Sequence, residues 1–208
     1  MKKIISLLLI SFFYSATAFA GGMIGIKYGT GTLESTASVP NDADSTKDAD
    51  SEYGAIFAEM EIDAATTPVS VGIEYIPLKA MVGVDGSKTD SHLELKDHTT
   101  LYALASKELE GGSSIYGKIG YSMADISKVT ANNAQTAASS PDDSLKGPMV
   151  GVGVQTAEGP YGIIARFEAT YTMYDDVKVT TTENTITETK TAKDTELTTF
   201  SISIAKKF

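Results

Sequence analysis

Three groups of side chains in this 208-residue sequence could carry chemistry. The first is His92 and His98, the only histidines, with Ser91, Glu94 and Asp97 close by. Serine, histidine and an acid are the parts of a nucleophilic triad. A triad is defined by geometry, however, and near neighbours in one polar segment supply none. A zinc site would need further ligands than two histidines six positions apart. The second group is Lys27, Glu59, Glu61, Glu74, Lys118, Arg166 and Glu168, single charges set among alternating apolar residues. If they share one face they form either an ion pathway or a satisfied polar core. The third is the acids Asp42, Asp44, Asp48, Asp50, Glu52, Asp142, Asp143, Asp175 and Asp176, which could gather divalent cations or serve as solvated surface charge. They lack the spacing of an EF-hand. The GxG of GVGVQ is followed by no helical pattern, so it is a strand feature and not a phosphate loop. These readings give no catalytic residue, no metal site and no cofactor.

Composition narrows the partners. The chain has 17 basic and 27 acidic residues, and Arg166 is its only arginine. Phosphate backbones need clustered lysine and arginine, so nucleic acid is excluded. Residues 1–20, MKKIISLLLISFFYSATAFA, have the basic start, apolar centre and small-residue ending of a signal peptide, with cleavage expected before Gly21. The remaining chain, 21–208, then has 15 basic and 27 acidic residues, a net charge of −12. The apolar centre is too short for a helical span, and no later window approaches eighteen continuous apolar residues. There is no cysteine. An exported chain without disulfides needs another device: a large core, a metal, or closure of its own sheet.

The elements that would position these groups are strands. Period-two segments cover about 23–33, 53–63, 69–78, 99–108, 114–127, 148–156, 161–174 and 197–208. In 99–108, Leu101, Ala103 and Ala105 compete with Tyr102 and Leu104 for one face, and a short helix is conceivable. Connections alternate strictly between polar stretches of about twenty residues and tight turns such as EGGS and AEGP. An up-and-down sheet places all long connections at one end. On 161–174, Ile163, Ala165, Phe167, Ala169 and Tyr171 oppose Arg166, Glu168 and Thr170, and the other segments divide in the same way. A soluble sandwich would also alternate. Tyr28, Tyr75, Tyr121 and Tyr171 nevertheless fall near the same ends of alternate strands, as in an aromatic girdle. Inward Gly25, Gly29, Gly72, Gly120, Gly151 and Gly153 would leave room for lysine, glutamate and arginine stems.

The exported eight-strand pattern, GPMVGVGVQ and the ending FSISIAKKF resemble the opacity-type and outer-membrane-protein-A-like small β-barrels of Gram-negative bacteria, often grouped with porins. The resemblance implies an all-β, eight-stranded antiparallel up-and-down transmembrane barrel over 21–208, placed in the outer membrane. It implies that Phe200, Ile202, Ile204 and Phe208 form the signal read by the outer-membrane assembly machinery, with Phe208 in the periplasmic girdle and Lys206 departing from the apolar alternation. The expected partners are outer-membrane lipids and lipopolysaccharide, the chain being a monomer with an unspecified external ligand. The expected role is non-enzymatic and structural or adhesive, with a lumen plugged by side chains. The rival readings are a narrow solute channel, a lipid-modifying enzyme at the rim, and a soluble periplasmic β-barrel binder.

Overall fold

A computed structural model describes residues 21–38, 45–62, 68–77, 80–84, 91–131, 144–183 and 186–208; residues 1–20, the expected signal peptide, lie outside them. The described residues form strands β1 (Gly22–Ser38), β2 (Ser45–Ile62), β3 (Val69–Ile76), β4 (Ala80–Val84), β5 (Ser91–Glu108), β6 (Ser114–Ala131), β7 (Ser144–Gln155), β8 (Ile163–Tyr174), β9 (Val177–Glu183) and β10 (Ile186–Lys207). Eight of these, β1, β2, β3, β5, β6, β7, β8 and β10, pair with their neighbours in that order, and β10 returns to pair antiparallel with β1. The sheet is a closed eight-stranded up-and-down barrel, which removes the free edges of an open sheet. β4 pairs with β5 and β9 with β10, outside the ring.

The tight turns place residues at positive φ. Between β5 and β6 these are Gly111 (φ 92) and Gly112 (φ 80), and Leu109 N–H donates to Ser113 O at 2.7 Å. Between β7 and β8 they are Tyr161 (φ 65) and Gly162 (φ 74), so β8 starts at Ile163 and not at the expected 161. The last residue is tied at both polar groups. Phe208 N–H donates to Gly22 O at 2.9 Å, and Gly21 N–H donates to Phe208 O at 3.2 Å.

One expectation needs correction. Parts of the polar stretches are strand: β2 begins at Ser45 and β10 at Ile186, well before the alternation of apolar residues starts. Beyond the apolar band the outward residues are polar, as Asp48, Asp50 and Glu196 are, and many inward ones are small or hydroxylic, as Ala49, Ser51 and Thr195 are, so apolar alternation fades while threonine-rich β propensity persists. The 99–108 segment is strand as its alternation indicated, the end of β5, with Tyr102 and Leu104 buried inside and Leu101 51% exposed outside.

The glycines answer to aromatic rings more than to charged stems. Gly25 faces Phe57, Gly29 faces Tyr53, Gly72 faces Tyr102 and Gly153 faces Tyr116, each pair being direct cross-strand partners. A Cβ at any of these four glycines would collide with the ring opposite. Gly151 is the position that follows the expectation, since it lies beside Lys118. An eight-stranded ring is just wide enough for side chains to fill, and flat rings over bare backbone fill it.

Candidate functional site

Six of the seven charges singled out in the sequence converge in the interior. Lys27 (β1), Glu59 (β2), Glu74 (β3), Lys118 (β6), Arg166 and Glu168 (β8) are all buried. Lys27 Nζ donates to Glu74 Oε2 and Glu168 Oε1, both at 2.5 Å. Lys118 Nζ donates to the same two carboxylates at 3.3 and 3.1 Å. Two ammoniums and two carboxylates thus form a closed ring of alternating charge, with no uncompensated member. Arg166 forms a second layer, donating from Nη1 and Nη2 to Glu59 at 2.6 and 2.9 Å and from Nε to Gln155 Oε1 at 2.7 Å. This bidentate geometry is the strongest available to an arginine and a carboxylate.

Glu61 departs from the expectation. It shares the inward parity of Glu59 but sits one step past the buried stretch, where it pairs with Lys207 at 3.1 Å, both side chains about two-fifths exposed. With Glu61 at the rim, the buried charges are three acids against three bases. That equality is what a desolvated interior requires, because an unpaired buried charge is strongly destabilising.

The sequence reading missed the tyrosines that complete this network. Tyr102 Oη donates to Glu59 at 2.8 Å, and Tyr116 Oη donates to Glu168 at 3.1 Å. The Lys118 ammonium stands 3.9 Å from the centroid of the Tyr102 ring. Their signal was present: an aromatic at inward parity, opposite an inward glycine on the next strand.

Towards the end of the barrel where the strands extend lies a cavity of about 60 Å³, whose lining mixes Leu33, Ile76 and Met149 with Tyr53, Thr100 and Ser122 and reaches Glu74 and Lys118. His98 bounds it, its Nε2 3.0 Å from Tyr174 Oη across the lumen. A bulge in β5, with Asp97 at φ 52, turns His98 inward while Asp97 accepts from Tyr75 Oη at 2.8 Å. Ser91 lies seven residues along the same extended strand, ~23 Å away at about 3.3 Å per residue, so these two cannot belong to one triad. His92 and Glu94 are on the same strand, paired in register with Thr130 and Lys128.

The outer face carries the apolar band. Tyr28 is 52% and Tyr121 44% exposed, with Tyr75 and Tyr171 partly buried, all on the outer surface. Phe200, Ile202 and Ile204 are 64%, 53% and 57% exposed and form one outward row on β10, with Phe208, 48% exposed, just beyond its end. Such a belt of bare aliphatic and aromatic side chains around a closed ring of strands is the surface expected against hydrocarbon. The fold is that of a small outer-membrane β-barrel. The solved structure of the outer membrane protein OprG from Pseudomonas aeruginosa matches with a TM-score of 0.56 at 12% identity, covering 90% of this chain and 97% of that one. Neisserial surface protein A (NspA) matches with 0.49 at 14% identity (88% and 97%), and Ail of Yersinia pestis with 0.45 at 13% (90% and 99%). No protein-family model and no curated protein matches the sequence.

Beyond the girdle of this outer-membrane-type barrel, the strands continue as a wall. Asp48, Asp50 and Glu52 lie on β2 and not in a loop; Asp175 and Asp176 follow β8; Asp42, Asp44, Asp142 and Asp143 fall outside the described residues. On the outer surface Glu34 is the direct partner of both Glu196 and Asp48, placing three carboxylates in a row across β10, β1 and β2. Among the described residues no group of three or more histidines or acids has the arrangement to hold a metal ion.

Proposed function

We propose that the chain is an integral outer-membrane protein with a structural or surface-interaction role, acting as a closed, non-catalytic barrel that carries an acidic wall to the exterior. The single observation that supports this most is the pair of stacked ionic layers, Lys27–Glu74–Lys118–Glu168 and Arg166–Glu59, which occupy the lumen with every charge matched. A solute would have to break these pairs to pass, so the reading favours a plug over a channel. The tight turns face the periplasm, the extended strands face out, and Phe200, Ile202, Ile204 and Phe208 present the alternation offered to the assembly machinery. The chain works as a monomer, since closure leaves no ring strand in need of a partner.

The test is steady-state conductance of the refolded protein in planar bilayers, with a heat-modifiability gel run on outer-membrane fractions. The expected result is a heat-modifiable band in those fractions and no steady opening. A reproducible conductance would favour the channel, and extraction without detergent would favour a soluble barrel.

A further inference from the structure

The cavity in the lumen is a chamber with a floor and a roof. Glu74 and Lys118, members of the balanced ionic ring, form the floor. His98 lies two residues beyond Thr100 on β5, and Tyr174 two beyond Thr172 on β8, both towards the extended ends, so the His98–Tyr174 bond is the roof. Leu33, Ile76, Met149 and Leu197 supply aliphatic wall, and hydroxyls supply most of the rest.

These hydroxyls are bonded to one another, and that leaves hydrogens over. Thr100 Oγ1 and Ser122 Oγ are 2.8 Å apart; Thr170 Oγ1 and Thr199 Oγ1 are 2.7 Å apart, and Thr199 reaches on to Tyr53. A run of hydroxyls joined end to end has one hydrogen more than it has links, whichever atom donates. The roof obeys the same count. A neutral His98 and Tyr174 bring two hydrogens to one bond, and His98 Nδ1 is buried with no partner among the described residues. Three hydrogens, one from each group, are therefore spare in a chamber whose one described carboxylate, Glu74, already takes both lysines at Oε2. A buried donor without an acceptor is costly.

The surplus selects an occupant. Water does not relieve it, because water brings two hydrogens for the two it accepts, whereas a carbonyl oxygen accepts two and brings none. An anion also only accepts, but its charge would stand uncompensated over a neutral floor that presents Glu74. The aliphatic walls call for short alkyl arms. At about 10–15 Å³ for each water-sized occupant, the cavity of about 60 Å³ takes about five non-hydrogen atoms. We propose that the chamber is a binding site for one small neutral carbonyl compound, entering from the end where the strands extend. The site needs only the closed barrel and its ionic floor, so it goes beyond the surface role proposed above and is tested apart from it.

The test is a methyl-shift titration of the refolded barrel in lipid nanodiscs with three probes of equal size: butanone, 2-butanol and propanoate. Met149 and Ile76 report the chamber, and Ile204 on the outer face reports partition into lipid. Butanone should shift Met149 and Ile76 saturably and bind at least fivefold more tightly than either 2-butanol or propanoate. The double variant Thr100→Val with Ser122→Ala removes one spare hydrogen with little change in volume. It should weaken butanone at least threefold and leave 2-butanol unchanged. Shifts at Met149 and Ile76 that only rise linearly with those of Ile204, equal binding of butanone and either control, or unaltered butanone binding by the double variant would overturn the proposal. The probe series is read on the wild type, so it decides the matter even where the double variant fails to give a heat-modifiable band.

Discussion

The Lys27–Glu74–Lys118–Glu168 ring and the Glu196–Glu34–Asp48 row use the same kinds of side chain in opposite ways. In the ring every neighbour of a cation is an anion. In the row three anions sit side by side on paired strands, with no cation between them in register. The difference follows from water. Inside the barrel little solvent screens a charge, and an uncompensated one costs several kcal/mol. On the wall, solvent and salt reduce the same repulsion to a few tenths. Strict charge balance therefore marks the buried part of the molecule, and charge excess marks the part exposed to solvent.

The largest effect should come from breaking the ring. Glu168→Ala leaves the Lys27 and Lys118 ammoniums to share Glu74 and takes the acceptor from Tyr116, so urea unfolding in lipid should show a loss of about 3–5 kcal/mol. Next, the boundary between the two regions can be mapped on the outer face. Ala165→Arg places a charge in hydrocarbon and should cost about 2–4 kcal/mol, whereas Thr32→Arg, on the same face but beyond the girdle, should be nearly silent. A smaller effect is expected from the packing that keeps the ring dry. Gly153→Val would displace the Tyr116 ring and should cost about 1–3 kcal/mol, while Gly117→Val, where an added Cβ meets nothing within 4 Å, should be tolerated. The smallest effect has the opposite sign. Glu34→Gln removes the central charge of the row and should stabilise the protein by about 0.5 kcal/mol at low salt, and the gain should vanish near about 1 M salt, where screening is nearly complete.

How much of this was legible in the sequence depended on whether a strand had two different surroundings. Where one face met hydrocarbon and the other the lumen, as at Ile163–Tyr171, alternation named the strand, its faces and the inward charges. Where the inward residues were small or hydroxylic and the outward ones charged, as at Ala49 and Thr195 beside Asp48, Asp50 and Glu196, the same extended backbone gave no apolar alternation, and strand was mistaken for loop. Glu61 shows a finer limit. Parity placed it on the inner face, but parity carries no depth, and only the closed ring shows that this position emerges beside Lys207. The ring partners were beyond periodicity as well. That Lys27 meets Glu168, 141 residues away, depends on barrel closure, which no local pattern encodes. The pairing of inward aromatics with inward glycines could have been found, because both sets were visible and only the register that joins them was missing.

On the proposed reading, charge balance inside the barrel is compulsory because the interior is sealed. The most direct test is a double-mutant cycle on Arg166 and Glu59, followed by urea unfolding in lipid vesicles. Arg166→Met alone strands the Glu59 carboxylate and should cost about 3–5 kcal/mol, while adding Glu59→Gln should recover a large part of that loss, giving a coupling energy of about 2 kcal/mol or more. Additive single effects, with Arg166→Met costing no more than a surface substitution, would mean that Glu59 is solvated when its partner is gone, and would contradict the sealed lumen.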